Sequence, residues 1–127
     1  MKRICAIICL AALLLSTGCA LLLPPQQALH PPVWIHGEWS TGSLDGSWTF
    51  SATTMIMRVG ITSLDYGEMY LHAGIHVTEI ITDTFYSYTV PGEVSSTMEF
   101  SKVDANTINM TTKTDFSTIG PVPLYRQ

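Results

Sequence analysis

Four histidines and ten carboxylates are the residue types here with the widest reach in chemistry. Imidazoles at His30, His36, His72 and His76 are potential metal ligands. His72 and His76 would face one way on a continuous strand or across one helical turn, but Gly74 between them suggests a hairpin instead. His36 and Glu38, two residues apart, share a strand face, yet no third ligand stands at a fixed spacing, as a tetrahedral site requires. The pairs Asp65 with Glu68 and Glu79 with Asp83 have the makings of acid–base hydrolysis. With acids spread along the whole stretch from Glu38 to Asp115, solvation accounts for them more simply. Ser43, in Thr41-Gly42-Ser43-Leu44-Asp45-Gly46, does not fit the Gly-x-Ser-x-Gly turn of an activated serine and reads as part of a hairpin. The expectation is a non-enzymatic chain without metal or cofactor, a hydrolase being the third choice behind two binding roles.

Methionines and aromatics carry the one ligand-like signal. Trp48, Phe50, Met55, Met57, Tyr86, Tyr88 and Phe100 combine flat stacking surfaces with thioethers that adapt their shape. They either line a pocket for a small apolar molecule or fill a core with no ligand, leaving the surface to a partner protein.

The elements that must position these groups are strands. Between residues 33 and 127 stand 7 Val, 8 Ile, 15 Thr, 5 Tyr, 4 Phe and 3 Trp, against only 22 residues of the types that favour helix. Apolar positions alternate, as in Trp48 and Phe50 or Met55, Met57 and Val59, which is the period of a strand. Turn signals recur at Gly42, Asp45-Gly46, Gly60, Tyr66-Gly67, Gly74, Pro91-Gly92, Asp104-Ala105-Asn106 and Gly120-Pro121. The pattern predicts strands near 33–41, 46–51, 54–59, 67–72, 75–81, 84–90, 96–102, 106–112 and 122–126. One of these nine is expected to be false or split, leaving about eight, and no segment reads as a crossover helix. A short all-β chain hides its sheet edges best by closing on itself, so a small antiparallel up-and-down β-barrel is expected.

Charge narrows the partners. The net charge is −4, and it becomes 4 − 10 = −6 without Lys2 and Arg3, so no basic surface exists to hold nucleic acid. Those two bases precede an apolar run from Ile4 to Leu15, then Ser16-Thr17-Gly18-Cys19. Twelve helical residues span about 18 Å, too little for a hydrocarbon core of about 30 Å, so this is a leader rather than a membrane span. Leu15-Ser16-Thr17-Gly18-Cys19 resembles the lipobox of bacterial lipoprotein precursors. The resemblance implies cleavage after Gly18, a lipid anchor on Cys19 and attachment to a membrane of the bacterial cell envelope; Ala20 after the cysteine points to the outer rather than the inner membrane. Cys5 and Cys9 would leave with the leader, so Cys19 would have no internal disulfide partner. Residues 1–18 are then the signal peptide, 19–32 the lipidated cysteine and a proline-rich linker, and 33–127 the folded domain.

Within that domain Gly37-Glu38-Trp39 stands on the first predicted strand and Leu124-Tyr125-Arg126-Gln127 on the last. The combination resembles the lipocalin-like (calycin) barrels, in which a Gly-x-Trp opens the barrel and an arginine of the final strand packs across the tryptophan. By that resemblance Trp39 and Arg126 form a structural pair that closes the barrel. The expected function is a membrane-anchored envelope protein whose partner is an apolar small molecule or another envelope protein.

Overall fold

The computed structural model describes residues 27–42 and 46–127. After a single 3-10 turn at Val33–Ile35 come β1 (Gly37–Ser40), β2 (Ser47–Phe50), β3 (Met55–Val59) and β4 (Thr62–Asp65), a short helix α1 (Tyr66–His72), then β5 (Thr78–Ile81), β6 (Phe85–Val90), β7 (Ser96–Lys102), β8 (Thr107–Thr114) and β9 (Thr118–Arg126). All nine strands belong to one sheet, in the order β4-β3-β2-β1-β9-β8-β7-β6-β5. Every neighbouring pair is antiparallel. The chain is thus an all-β, up-and-down protein whose first and last strands meet, Trp39 standing opposite Arg126.

The strand number decides how the curled sheet ends. Directions alternate along nine strands, so β4 and β5 at the two edges run the same way. They cannot pair as another antiparallel hairpin, and the barrel-like sheet keeps a seam between them. A parallel connection needs a crossover, and α1 supplies it by carrying the chain back to the start of β5.

This corrects the expectation at two places. The stretch 67–72, expected as a strand, is helical, and Thr62–Asp65, expected as part of a turn region, is a strand paired with β3 from Ile56↔Asp65 to Val59↔Thr62. The count is therefore nine and not eight. Local chemistry explains the helix: Asp65 is its N-cap and accepts the Glu68 amide at 3.0 Å. The Thr54 hydroxyl donates to the same Asp65 oxygen and accepts the Gly67 amide at 2.9 Å, pressing the helix start onto the β2–β3 turn. A Cβ at Gly67 would come within 2.9 Å of the Thr53 carbonyl, so only glycine fits. Gly74, in the left-handed region at φ +65°, ends the helix while the amide of Ile75 bonds back to Tyr70. Two further ends differ: residues 33–35 form the 3-10 turn instead of strand, and β9 begins at Thr118, passing a register shift between Met110 and Thr112.

The up-and-down order sorts the connections between two ends. Turns 60–61, 91–95 and 115–117 lie at one end, here called the rim, whereas 51–54, 82–84 and 103–106 lie at the other, the base, with the start of β1 and the end of β9. The core between them holds Trp39, Trp48, Phe50, Met55, Tyr86, Tyr88, Phe100, Ile108 and Leu124, joined by Leu29, Ile35 and Tyr70 from outside the sheet.

Candidate functional site

Arg126 illustrates how the base is built. Its guanidinium lies 4.2 Å from the Trp39 ring centroid and donates to three backbone carbonyls, His36 at 2.8 Å, Trp34 at 3.2 Å and Ala105 at 3.1 Å. The Trp39 indole donates to the Ile35 carbonyl at 2.8 Å. Stacking of this kind contributes about 0.5–2 kcal/mol. The glycine of Gly37-Glu38-Trp39 is required twice over: its φ is +119°, and a Cβ would stand 2.9 Å from the Arg126 Nη1. First strand, last strand and 3-10 turn are therefore fastened by one side chain.

The residues expected to line a ligand pocket are brought together, but against one another. Phe50 and Phe100 meet edge to face at 5.0 Å, Phe100 stacks on Tyr86 at 6.1 Å, and Tyr86 leads to Tyr88 at 6.3 Å and on to Tyr70 at 6.0 Å. Trp48 and Met55 are buried among them, and Met57, half-buried, receives the Tyr66 hydroxyl at 3.9 Å on its sulfur. The Tyr88 hydroxyl donates to the Met98 sulfur at 3.0 Å. Burial pushes the phenols of Tyr86 and Tyr88 far above their ordinary range, so both remain neutral donors. None of the seven lines any of three clefts formed by the described residues.

Two of those clefts flank the seam. One, of about 310 Å³, lies between the N-terminal segment, the end of α1 and β5, and is lined by Gln27, Ala28, His30, Tyr70, Leu71, His76 and Glu79 among others. The second, of about 370 Å³, lies at the start of α1 beside Gln27, Ala28, Thr53, Asp65 and Glu68. Segment 27–31 separates them and inserts Leu29, which is completely buried. Glu79 holds that segment in place: its carboxylate accepts the His30 amide at 2.7 Å, pairs with the His30 Nδ1 at 2.8 Å and accepts the buried Tyr86 hydroxyl at 2.8 Å. Farther along, the Trp34 indole donates to the Thr82 carbonyl at 2.8 Å. The N-terminal segment and α1 together occupy the gap that two same-direction edges leave.

Among the remaining chemical candidates, Asp65, Glu68, His72 and His36 have structural partners, and Asp83 lies exposed in the β5–β6 turn. Asp65 caps α1, and Glu68 pairs with His72 one turn later at 3.2 Å on an exposed face. The His36 ring bonds the Pro31 carbonyl at 2.8 Å, and His76 stands exposed at the first cleft. Among the described residues, no three of His, Cys, Asp or Glu converge as metal ligands. Ser43 and Cys19 lie outside the described residues. Sequence reasoning missed the His30–Glu79–Tyr86 network and the burial of Leu29, because prolines 24, 25, 31 and 32 make that stretch read as spacer. A leucine standing alone between glutamines and prolines was the available signal.

Compared with protein-family models, with curated proteins and with solved structures, the chain matches none.

Proposed function

We propose that this chain is a lipid-anchored bacterial envelope protein, most simply of the outer membrane, whose barrel is a non-catalytic interaction module with a filled interior. The observation that carries the reading is the ring-on-ring packing of Phe50, Phe100, Tyr86 and Tyr88, the positions a ligand would have to use. Aromatic pairs at such separations are mutually satisfied core contacts. The anchor rests on the lipobox-like Leu15–Cys19 segment, and several long acyl chains on one cysteine would make attachment effectively permanent. Lipocalin-like kinship is supported by the Arg126 guanidinium over Trp39 and by the β1–β9 pairing.

Native mass spectrometry of protein extracted from membranes tests both parts. The expected species begins at an acylated Cys19 and carries no other mass. A stoichiometric apolar molecule would refute the filled interior, and a bare Cys19 behind an intact leader would refute the anchor. A second reading places a small polar ligand in the first seam cleft, favoured by the convergence of Gln27, His30, Tyr70, His76 and Glu79 around about 310 Å³. It requires the same spectrum to show such a molecule, lost on His76→Ala.

A further inference from the structure

The two ends of the barrel differ in what their turns expose. At the base, turns Ser51-Ala52-Thr53-Thr54, Thr82-Asp83-Thr84 and Val103-Asp104-Ala105-Asn106 carry one large apolar residue, Val103. At the rim, each of the three fully described turns lifts one into solvent: Ile61, which is wholly exposed, Val94, and Phe116, which is 85% exposed. Ile119 follows Phe116 on β9 and is exposed as well; at the base the exposed neighbours of the turns are Val33, Ile81 and Tyr125, so the contrast lies in the turn tips themselves.

These tips are held in place. The Asp115 carboxylate accepts the Ser95 amide at 3.0 Å and its hydroxyl at 2.5 Å, tying the turn of Val94 to the turn of Phe116. The Thr114 hydroxyl accepts the Ser117 amide at 3.2 Å, and the Thr114 amide donates to the Ser117 carbonyl at 2.8 Å, fixing the loop that presents Phe116.

The geometry points to a lipid bilayer as the occupant of this rim, and the inference rests on the anchored reading above. Single apolar side chains projecting from separate hairpins suit a fluid interface, which closes around each, better than one rigid protein pocket. Charge selects the kind of lipid. Glu93 and Asp115 stand beside Val94 and Phe116, against Arg58 on β3 and Lys113, which is already paired with Glu99 at 2.7 Å. No cationic belt exists to seek anionic headgroups, so the rim takes a zwitterionic surface and its contact is insensitive to salt. Reach permits it: eight residue steps from Cys19 to Gln27 extend at most about 28 Å, and the nine residues of β9 run about 30 Å along a strand that barrels tilt by about 35–45°. The anchor and the rim can therefore meet the same membrane.

The test places an environment-sensitive fluorophore on Thr118→Cys at the rim or on Ala105→Cys at the base, in full-length mature protein with phosphatidylcholine vesicles whose acyl chains are brominated. The rim label is expected to be quenched severalfold more than the base label, equally at low and high salt, and Ile61→Ser with Phe116→Ser is expected to abolish the difference while leaving the melting curve in place. Equal quenching of the two labels in otherwise unsubstituted protein overturns the inference, including the case in which the rim serves a protein partner. The mass of the same preparation reports Cys19 separately. Protein beginning at residue 19 with Cys19→Ser, which has no thiol but the introduced one, still compares the two labels when mixed with the vesicles, so loss of the anchor and loss of the rim are distinguishable.

Discussion

Base and rim are made from the same strands and differ in how their polar and apolar groups are used. At the base, Arg126 reaches three carbonyls and an indole, and Leu29 and Ile35 are carried into the core by residues that belong to no strand. The turns there expose only Val103, although Val33 and the strand-end residues Ile80, Ile81 and Tyr125 are exposed beside them. At the rim, polar groups such as Asp115, Ser95 and Thr114 are spent on closing turns, and apolar ones face out. One end is built to hold the fold shut, and the other to present a surface. On the proposed reading of a filled interior, the function falls to the outside of the molecule.

The sharpest way to break this comparison is to remove one aromatic from each end. Trp39→Ala deletes a fully buried ring and the platform of Arg126, and should cost about 3–5 kcal/mol, with Tm falling by about 4–8 °C for each kcal/mol in a domain of this size. Phe116→Ser should stay within about 0.5 kcal/mol of the parent, as exposed substitutions do. Thermal unfolding followed by circular dichroism checks both, and comparable losses would erase the distinction between the ends.

Leu29→Ala comes next, at about 2–5 kcal/mol for a completely buried leucine. Denaturant titration reads it; an unchanged midpoint would make segment 27–32 a spacer lying on the fold rather than part of it. Glu79→Gln is smaller, about 1–3 kcal/mol, because the buried Tyr86 hydroxyl keeps an acceptor while the charged partner of His30 is lost. His30→Ala, removing a half-exposed side chain, should cost less than Glu79→Gln in the same assay, and the reverse order would contradict Glu79 as the hub.

The smallest effect is at the rim and depends on pH. Hydrogen bonds from the Ser95 hydroxyl and amide hold the Asp115 carboxyl below its ordinary value of 3.8. A depressed folded value means that the tie is complete above the ordinary carboxyl range and is lost as pH falls through the lowered one. The Ser95 amide signal, followed by NMR during acidification, should move only below that ordinary value in the parent and lose this step in Asp115→Asn.

Much of this architecture was legible in the residues. Alternation in 47–50 and at Met55 and Met57 located strands because those side chains turn toward the core, and Gly37-x-Trp39 with Arg126 marked where the chain closes on itself. The helix was illegible because Asp65 and Glu68 look like a carboxylate pair until they are read as a cap and the third residue of a helix, with Gly74 as the stop. The clasp by Glu79 could not be read at all: 49 positions separate it from His30, and only the parity of nine strands, which leaves a seam to be covered, brings them together. The seven candidate ligand residues were rightly placed on inward faces, but whether inward faces enclose space or touch each other is a matter of sheet curvature, which no spacing encodes.

Titration of the intact protein with N-phenyl-1-naphthylamine, an apolar probe that brightens when enclosed, bears most directly on the filled interior. The packing of Phe50, Phe100 and Tyr86 predicts no saturable binding by the parent and saturable binding by Phe100→Ala, where a ring-sized space opens. Saturable one-to-one binding by the parent, weakened by substitution at Phe50 or Tyr88, would contradict it.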